Sequence, residues 1–225
     1  MTIRHHIGDD TLMAYSNGTL AESLSVVVAT HLAICPKCRR SLAMMEDMAG
    51  LLLMEAEPME LARTERELAD VIPSRAEQES LLAVKEAEKT RVYADTGVPK
   101  PLADRMPTSL DDIPWRTLVP GVSHFPLPWE PAPGEKGTLR LLKIAPGKTI
   151  PEHSHSGQEV TLILRGSYID ELGRFQAGDF ADLDGTTNHQ PVADTSEDCI
   201  CLIATDAPLK FSGFFSRLLQ PVFGI

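Results

Sequence analysis

The sequence predicts an α + β chain of two domains: an N-terminal all-α helical bundle bound to zinc, then a C-terminal all-β jelly-roll barrel. Three observations carry this. Metal-ligand residue types gather at two distant places, His6 with His31-x3-Cys35-x2-Cys38, and His153-x-His155-x3-Glu159 with His189. Residues 9–54 have helical periodicity, whereas the second half consists of short β-rich runs punctuated by Gly and Asp. Between them prolines recur at 99, 101, 107, 114, 120, 126, 128, 131 and 133, a pattern that denies sustained helix.

Taken in order, Leu20, Leu24, Val27, Val28, His31, Leu32 and Cys35 fall on one helical face, so His31 and Cys35 lie one turn apart. Pro36 suits the first turn of a new helix, which makes Cys35-Pro36-Lys37-Cys38 a helix junction. From Ser41 to Met54 only Glu46 and Asp47 are charged, and apolar residues surround the helix. This run is either a buried core helix or a surface kept for a partner, with Met44, Met48, Leu51 and Leu52 as contact candidates and methionine suiting an adaptable face. Residues 55–90 are Glu-rich and helix-prone, with Pro73-Ser74 offering a break and a cap. We therefore divide the chain into a helical domain 1–90, a linker 91–112 and a barrel domain 113–225. Strands are expected at Thr138–Ile144, Glu159–Arg165, Gly166–Glu171, Asp179–Leu183 and Ile200–Ala204.

Composition sets the exclusions. In 225 residues, 43% hydrophobic, two modest cores fit better than one large one. A formal net charge of −11 disfavours direct binding to nucleic acid, which needs clustered Lys and Arg. The longest uncharged apolar stretch, Met48–Met54, is far short of the ~20 residues of a membrane span, and the N-terminus has no apolar signal core. A soluble cytoplasmic protein is expected, in which four cysteines serve as metal ligands or redox thiols rather than disulfides.

His31, Cys35 and Cys38 can converge on one ion across a helix end, and tetrahedral zinc needs one further ligand. His6 is the choice for it and His5 the competitor; the competing reading of Cys-x2-Cys is a redox pair. A closed four-ligand site is structural. His6, His31, Cys35 and Cys38, with the helix around Leu12, Ala14, Tyr15, Gly18 and Leu20, resemble the zinc-binding anti-sigma domain. That resemblance implies a helical bundle that clamps an extracytoplasmic-function sigma factor.

In the second half, Gly147-x5-His153-x-His155-x3-Glu159-x6-Gly166 resembles the first cupin motif at every position. Alternation along a strand puts His153 and His155 on one face, while Glu159 and His189 arrive from other strands. Zinc or another divalent metal suits three imidazoles and a carboxylate, so the ligand set does not choose the ion. The second motif is degenerate: Gly178 and His189 keep their separation, but Asp184 and Thr186 replace Pro and Gly. Cys199 and Cys201 share a strand face, either as redox thiols or as small core residues.

Joined in this order, the two halves are similar to the ChrR-type anti-sigma factors, a zinc anti-sigma domain followed by a cupin domain. The resemblance implies a regulatory protein, not an enzyme, that holds a σE-type sigma factor one-to-one and releases it when singlet oxygen or organic hydroperoxide is sensed through the cupin. The alternative is a cupin-type metal dioxygenase or isomerase with a helical zinc-binding appendage.

Overall fold

A computed structural model describes residues 2–59, 74–75, 77–80, 98–106, 109–131, 133–185 and 187–211, with backbone alone for His155 and 209–211. Helix α1 (Asp9–Ser16) carries Asp9 and Asp10 in its first turn, where carboxylates favour the helix dipole. It ends at Asn17 and Gly18, whose φ of 68° is the left-handed turn that glycine adopts without strain. Helix α2 (Glu22–Ile34) and helix α3 (Pro36–Glu55) meet at Cys35, which caps both, with Pro36 in the first turn of α3 as expected. Farther on, Ser74 and Glu77 form a reciprocal capping box: the Ser74 amide and hydroxyl donate to Glu77 Oε2, and the Glu77 amide donates to Ser74 Oγ. The rest of the expected 55–90 helices lies outside the described residues.

Twelve strands follow among the described residues, all paired antiparallel. The largest sheet runs in the order β1 (Arg116–Val119), β2 (Val122–Pro126), β3 (Thr138–Ile144), β11 (Cys199–Thr205), β5 (Glu159–Arg165) and β8 (Phe180–Leu183). A second sheet holds β10 (Val192–Ala193), β6 (Ser167–Asp170) and β7 (Gly173–Gln176). The third holds β12 (Leu209–Phe211), β4 (His153–His155) and β9 (Asn188–His189). The hydrogen bonding thus divides into three sheets rather than closing as one barrel ladder. All five expected strands are present, with ends shifted by at most one residue. The β1–β2 hairpin was not expected in the proline-rich stretch; Pro120 followed by Gly121 at φ 87° makes its turn, so these residues start a sheet instead of preventing one.

Helix α2 explains the packing. Ser23, Leu24, Val26, Val27, Val28, Thr30, His31 and Leu32 are buried, so apolar surface runs nearly all round it. One side meets α1 and α3, and the other lies on the large sheet, where Ser23 donates to the Thr205 carbonyl at 3.2 Å. Leu24, Val27 and Val28 therefore share a core with Leu141, Val160, Leu162, Phe180 and Leu202. The expectation of two separate cores gives way to this shared one, because an apolar-all-round helix of this length needs a second wall. Residues of the segment expected as a linker join in: Val98, Leu102, Ala103 and Leu110 are buried in the same cluster, and Arg105 pairs with Glu22 at 2.8 Å. Alternation along β11 sends Ile200, Leu202 and Ala204 to the helices, and Cys199 and Cys201 to a second cluster with Ile163, Tyr168 and Phe175.

Phe180 is the largest fully buried side chain at the helix–sheet contact, with its ring 5.2 Å from that of His31. Phe180→Ala should lower stability by about 3–5 kcal/mol. Denaturant unfolding followed by circular dichroism checks this, and a loss below ~1 kcal/mol would mean that helices and sheet do not share a core.

Candidate metal centres

Four potential ligands meet where the N-terminal segment crosses the α2–α3 junction. His6, His31, Cys35 and Cys38 each offer one atom, and all four atoms lie within 4.8 Å of one another. His6 Nδ1 is 3.4 Å from Cys35 Sγ and 3.6 Å from Cys38 Sγ, and His31 Nε2 is 3.4 Å from Cys38 Sγ. With Zn–N near 2.05 Å and Zn–S near 2.3 Å, a tetrahedral N···S edge is about 3.5 Å. The donor set therefore fits a tetrahedral ion of zinc's size. The competitor His5 turns away and packs on Phe175, with ring centroids 4.3 Å apart.

The surroundings prepare these ligands unequally. Burial, with His6 adding to it, lowers the His31 pKa to about 4, so its imidazole is neutral and ready to coordinate. His6 is lowered too, chiefly by burial and then by Lys37. Burial pushes the Cys38 thiol up to about 11. Cys35 caps α3 through the Cys38 amide, which donates to its sulfur at 3.5 Å. His31 Nδ1 is buried without a hydrogen bond of normal geometry, and the Gly178 carbonyl of the sheet half is the acceptor near enough to favour a proton there. Such an outer acceptor orients a ligating imidazole.

The second group is His153, Glu159 and His189, all buried. The two histidines are direct partners across β4 and β9, which sets their rings 4.5 Å apart and their Nε2 atoms 3.1 Å apart. Glu159 opens β5 with its oxygens 3.9 Å from His153 Nε2 and 3.8 Å from His189 Nε2. His155 stands on β4, paired with Leu209, but its side chain lies outside the described residues. The outer bonds assign the tautomers: His153 Nδ1 donates to the Pro151 carbonyl at 2.8 Å, and His189 Nδ1 to the Asp170 carboxylate at 3.0 Å. Both Nε2 atoms then present lone pairs to each other and to the carboxylate. A cation resolves that crowding, and 3.1 Å lies between the about 3.0 and about 3.4 Å edges of nitrogens bound at right and tetrahedral angles. Burial also raises the Glu159 pKa to about 7.

Sequence reasoning missed Asp170, although a signal existed: it has the parity of buried Tyr168 on β6, a carboxylate where the strand faces inward. Cys199 and Cys201 are fully buried as expected of one strand face. Burial pushes the Cys199 thiol up to about 12 and Cys201 well above its ordinary value, which disfavours the thiolate form of both in this packing. The contact candidates on α3 lie outside both groups and are exposed: Met44 by 68%, Met48 by 62%, Leu51 by 64% and Leu52 by 68%.

Because Cys38 is protonated at neutral pH in the metal-free chain, metal capture at the first group must expel that proton, whereas neutral His31 adds no competition above pH about 4. Apparent affinity should therefore rise at least about tenfold per pH unit around neutrality. Competition with a chromogenic chelator checks this, and a flat profile would count against thiolate ligation by Cys38.

Comparison with known proteins follows the same division. Residues 103–208 match the family described as the ChrR Cupin-like domain. The Anti-sigma-E factor ChrR of Cereibacter sphaeroides is 44% identical over 225 residues, covering 100% of both chains. The crystal structure of Rhodobacter sphaeroides SigE in complex with the anti-sigma ChrR aligns with TM-score 0.70 and 38% identity, covering 91% of this chain and 100% of that one. A chain with paired ligand groups, a cupin-like sheet half and full-length identity at this level belongs to the ChrR family of anti-sigma factors.

Proposed function

We propose that this chain binds and inhibits an extracytoplasmic-function sigma factor one-to-one, and releases it in response to singlet oxygen or organic hydroperoxide sensed through the cupin half. The observation that carries the first part is α3. Of its 20 residues only Cys38 is buried, while Met44, Met48 and Leu51 to Met54 stay exposed, Met54 by 84%. A protruding helix with a methionine-rich apolar surface has the form of a helix-in-groove ligand. The crystallised relative in complex with SigE supplies the partner class. The work is stoichiometric capture, and neither metal group is assigned a substrate.

In this reading residues 1–90 are a zinc-bound helical bundle that clamps sigma, 113–225 wrap as a jelly-roll barrel that senses, and 91–112 join them by packing. His6, His31, Cys35 and Cys38 hold a structural zinc, since four protein ligands leave no position open. His153, His155, Glu159 and His189 hold zinc or another divalent ion, where imidazole and carboxylate ligands can admit a further ligand. Cys199 and Cys201 are the thiols that oxidant meets only once the sheet half loosens. No helix among the described residues is long and apolar enough to cross a membrane, and the charge of −11 argues against direct nucleic-acid binding, which together support a cytoplasmic role.

Tagged full-length chain recovered from its own cells should bring down one sigma factor, and Met48→Asp with Leu52→Asp should weaken capture by about 2 kcal/mol or more, roughly 30-fold, with helicity unchanged. Capture of sigma unaffected by both substitutions would remove α3 from the interface. Glu159→Ala with His189→Ala should leave capture intact in unstressed cells while abolishing release on exposure to singlet oxygen. Release at the wild-type level would exclude the second metal group from sensing.

A further inference from the structure

The first metal group is not completed by helical residues alone. His6 lies in an extended segment that precedes α1, and the residues just before it are hydrogen-bonded to the edge of the sheet half. Asp179, fully buried just before β8, accepts from the Arg4 amide at 2.6 Å and the His5 amide at 3.1 Å with the same oxygen. Its other oxygen accepts from the Gln176 amide at 3.0 Å, which ties the carboxylate to its own turn. In return the Phe180 amide donates to the His5 carbonyl at 3.2 Å, and Gln176 Nε2 donates to the Thr2 carbonyl at 3.0 Å. The segment before His6 is thus bonded at Thr2, Arg4 and His5 to Gln176, Asp179 and Phe180, while the His31 ring abuts Phe180 from the same stretch.

We propose that Asp179, a residue of the cupin half, is a positioning residue of the first metal group: by fixing the Arg4 and His5 amides it aims His6 at Cys35 and Cys38. The inference rests on reading that group as a metal site, and deepens it by making one of its four ligands depend on the sensing half. A second tie runs beside it. Gln158, the neighbour of Glu159, donates through Nε2 to Thr11 Oγ1 at 2.6 Å and to Asp182 Oδ1 at 2.7 Å, and Asp182 Oδ2 accepts from the Gly8 amide at 3.0 Å. Glu159 and Leu183 are register partners between β5 and β8. Glu159 therefore has a short covalent and hydrogen-bonded route through Gln158 and Asp182 to Gly8, on the far flank of His6 from Arg4 and His5.

The test uses full-length protein loaded with cobalt, because sulfur-to-cobalt charge-transfer absorption arises only where Cys35 and Cys38 ligate, and so reports the first group separately from the second. Asp179→Ala should release cobalt from the thiolate site to a chelator about 10–100-fold more readily, while the metal content of the second group stays at the wild-type level. Arg4→Pro removes one of the two donated amides without touching the sheet, so it remains informative where Asp179→Ala disturbs folding; it should also speed release. The double variant should release no faster than Asp179→Ala alone, since both act on one contact. Wild-type retention in both single variants, or effects that simply multiply, would overturn the role of Asp179. Absence of the thiolate band in the wild-type protein would instead overturn the metal reading itself, a result the variants cannot mimic.

Discussion

The burial of α2 between the other helices and the large sheet is the constraint from which the rest of the arrangement follows. Its sequence contains three consecutive valines, whose branched side chains lose rotamer freedom in a helix, so thirteen residues of this kind would not hold a helix in water. Tertiary burial supplies the stability, at roughly 1.5–3 kcal/mol for each fully buried aliphatic side chain such as Leu24 or Val27. Once α2 lies on β5 and β11, its last turn delivers His31 to a point bounded by Phe180 on one side and Cys38 on the other. The position of the first metal group is therefore decided by a helix–sheet contact.

Both groups follow one electrostatic logic with different donors. In the second group outer acceptors hold the distal ring nitrogens, Pro151 for His153 and Asp170 for His189, so that lone pairs face inward. Thiolates and imidazoles in the first make a closed tetrahedral set suited to a structural ion. Imidazoles and a carboxylate in the second are harder ligands, compatible with several metals and with a further ligand from outside. The two groups thus differ in kind, one closed by four protein ligands and the other with a donor set that can admit a further ligand.

Helix α3 shows the opposite of economical folding. Cys35 caps it, Pro36 starts it and Cys38 anchors it, after which Leu42 and Met45 pack partly against the core and the later apolar residues project beyond it. Exposed apolar surface of this extent is unfavourable in an isolated chain and becomes favourable when a partner removes it from water. The choice between a buried core helix and a partner-facing one was open to the sequence because both need the same apolar residues.

The sequence by itself determined what is local or periodic. The ligand spacing at His31, Cys35 and Cys38, the helix break at Pro36, the cap at Ser74, the strand alternation that places Cys199 beside Cys201, and the first cupin-like motif were all legible, because each depends on residues within a turn or two of one another. The choice of His6 over His5 was also open to the sequence, but only the tertiary structure shows where each goes, His6 beside the thiols and His5 onto Phe175. Tertiary structure alone decided that the stretch after Val98 packs instead of linking, because burial of Leu102 and Leu110 depends on a helix some seventy residues earlier in the chain. The same holds for Asp170 and Asp179. A carboxylate reads as an ordinary surface residue until the fold brings it an imidazole or a pair of amides, and those partners lie up to 175 residues away, beyond any pattern a local reading can hold.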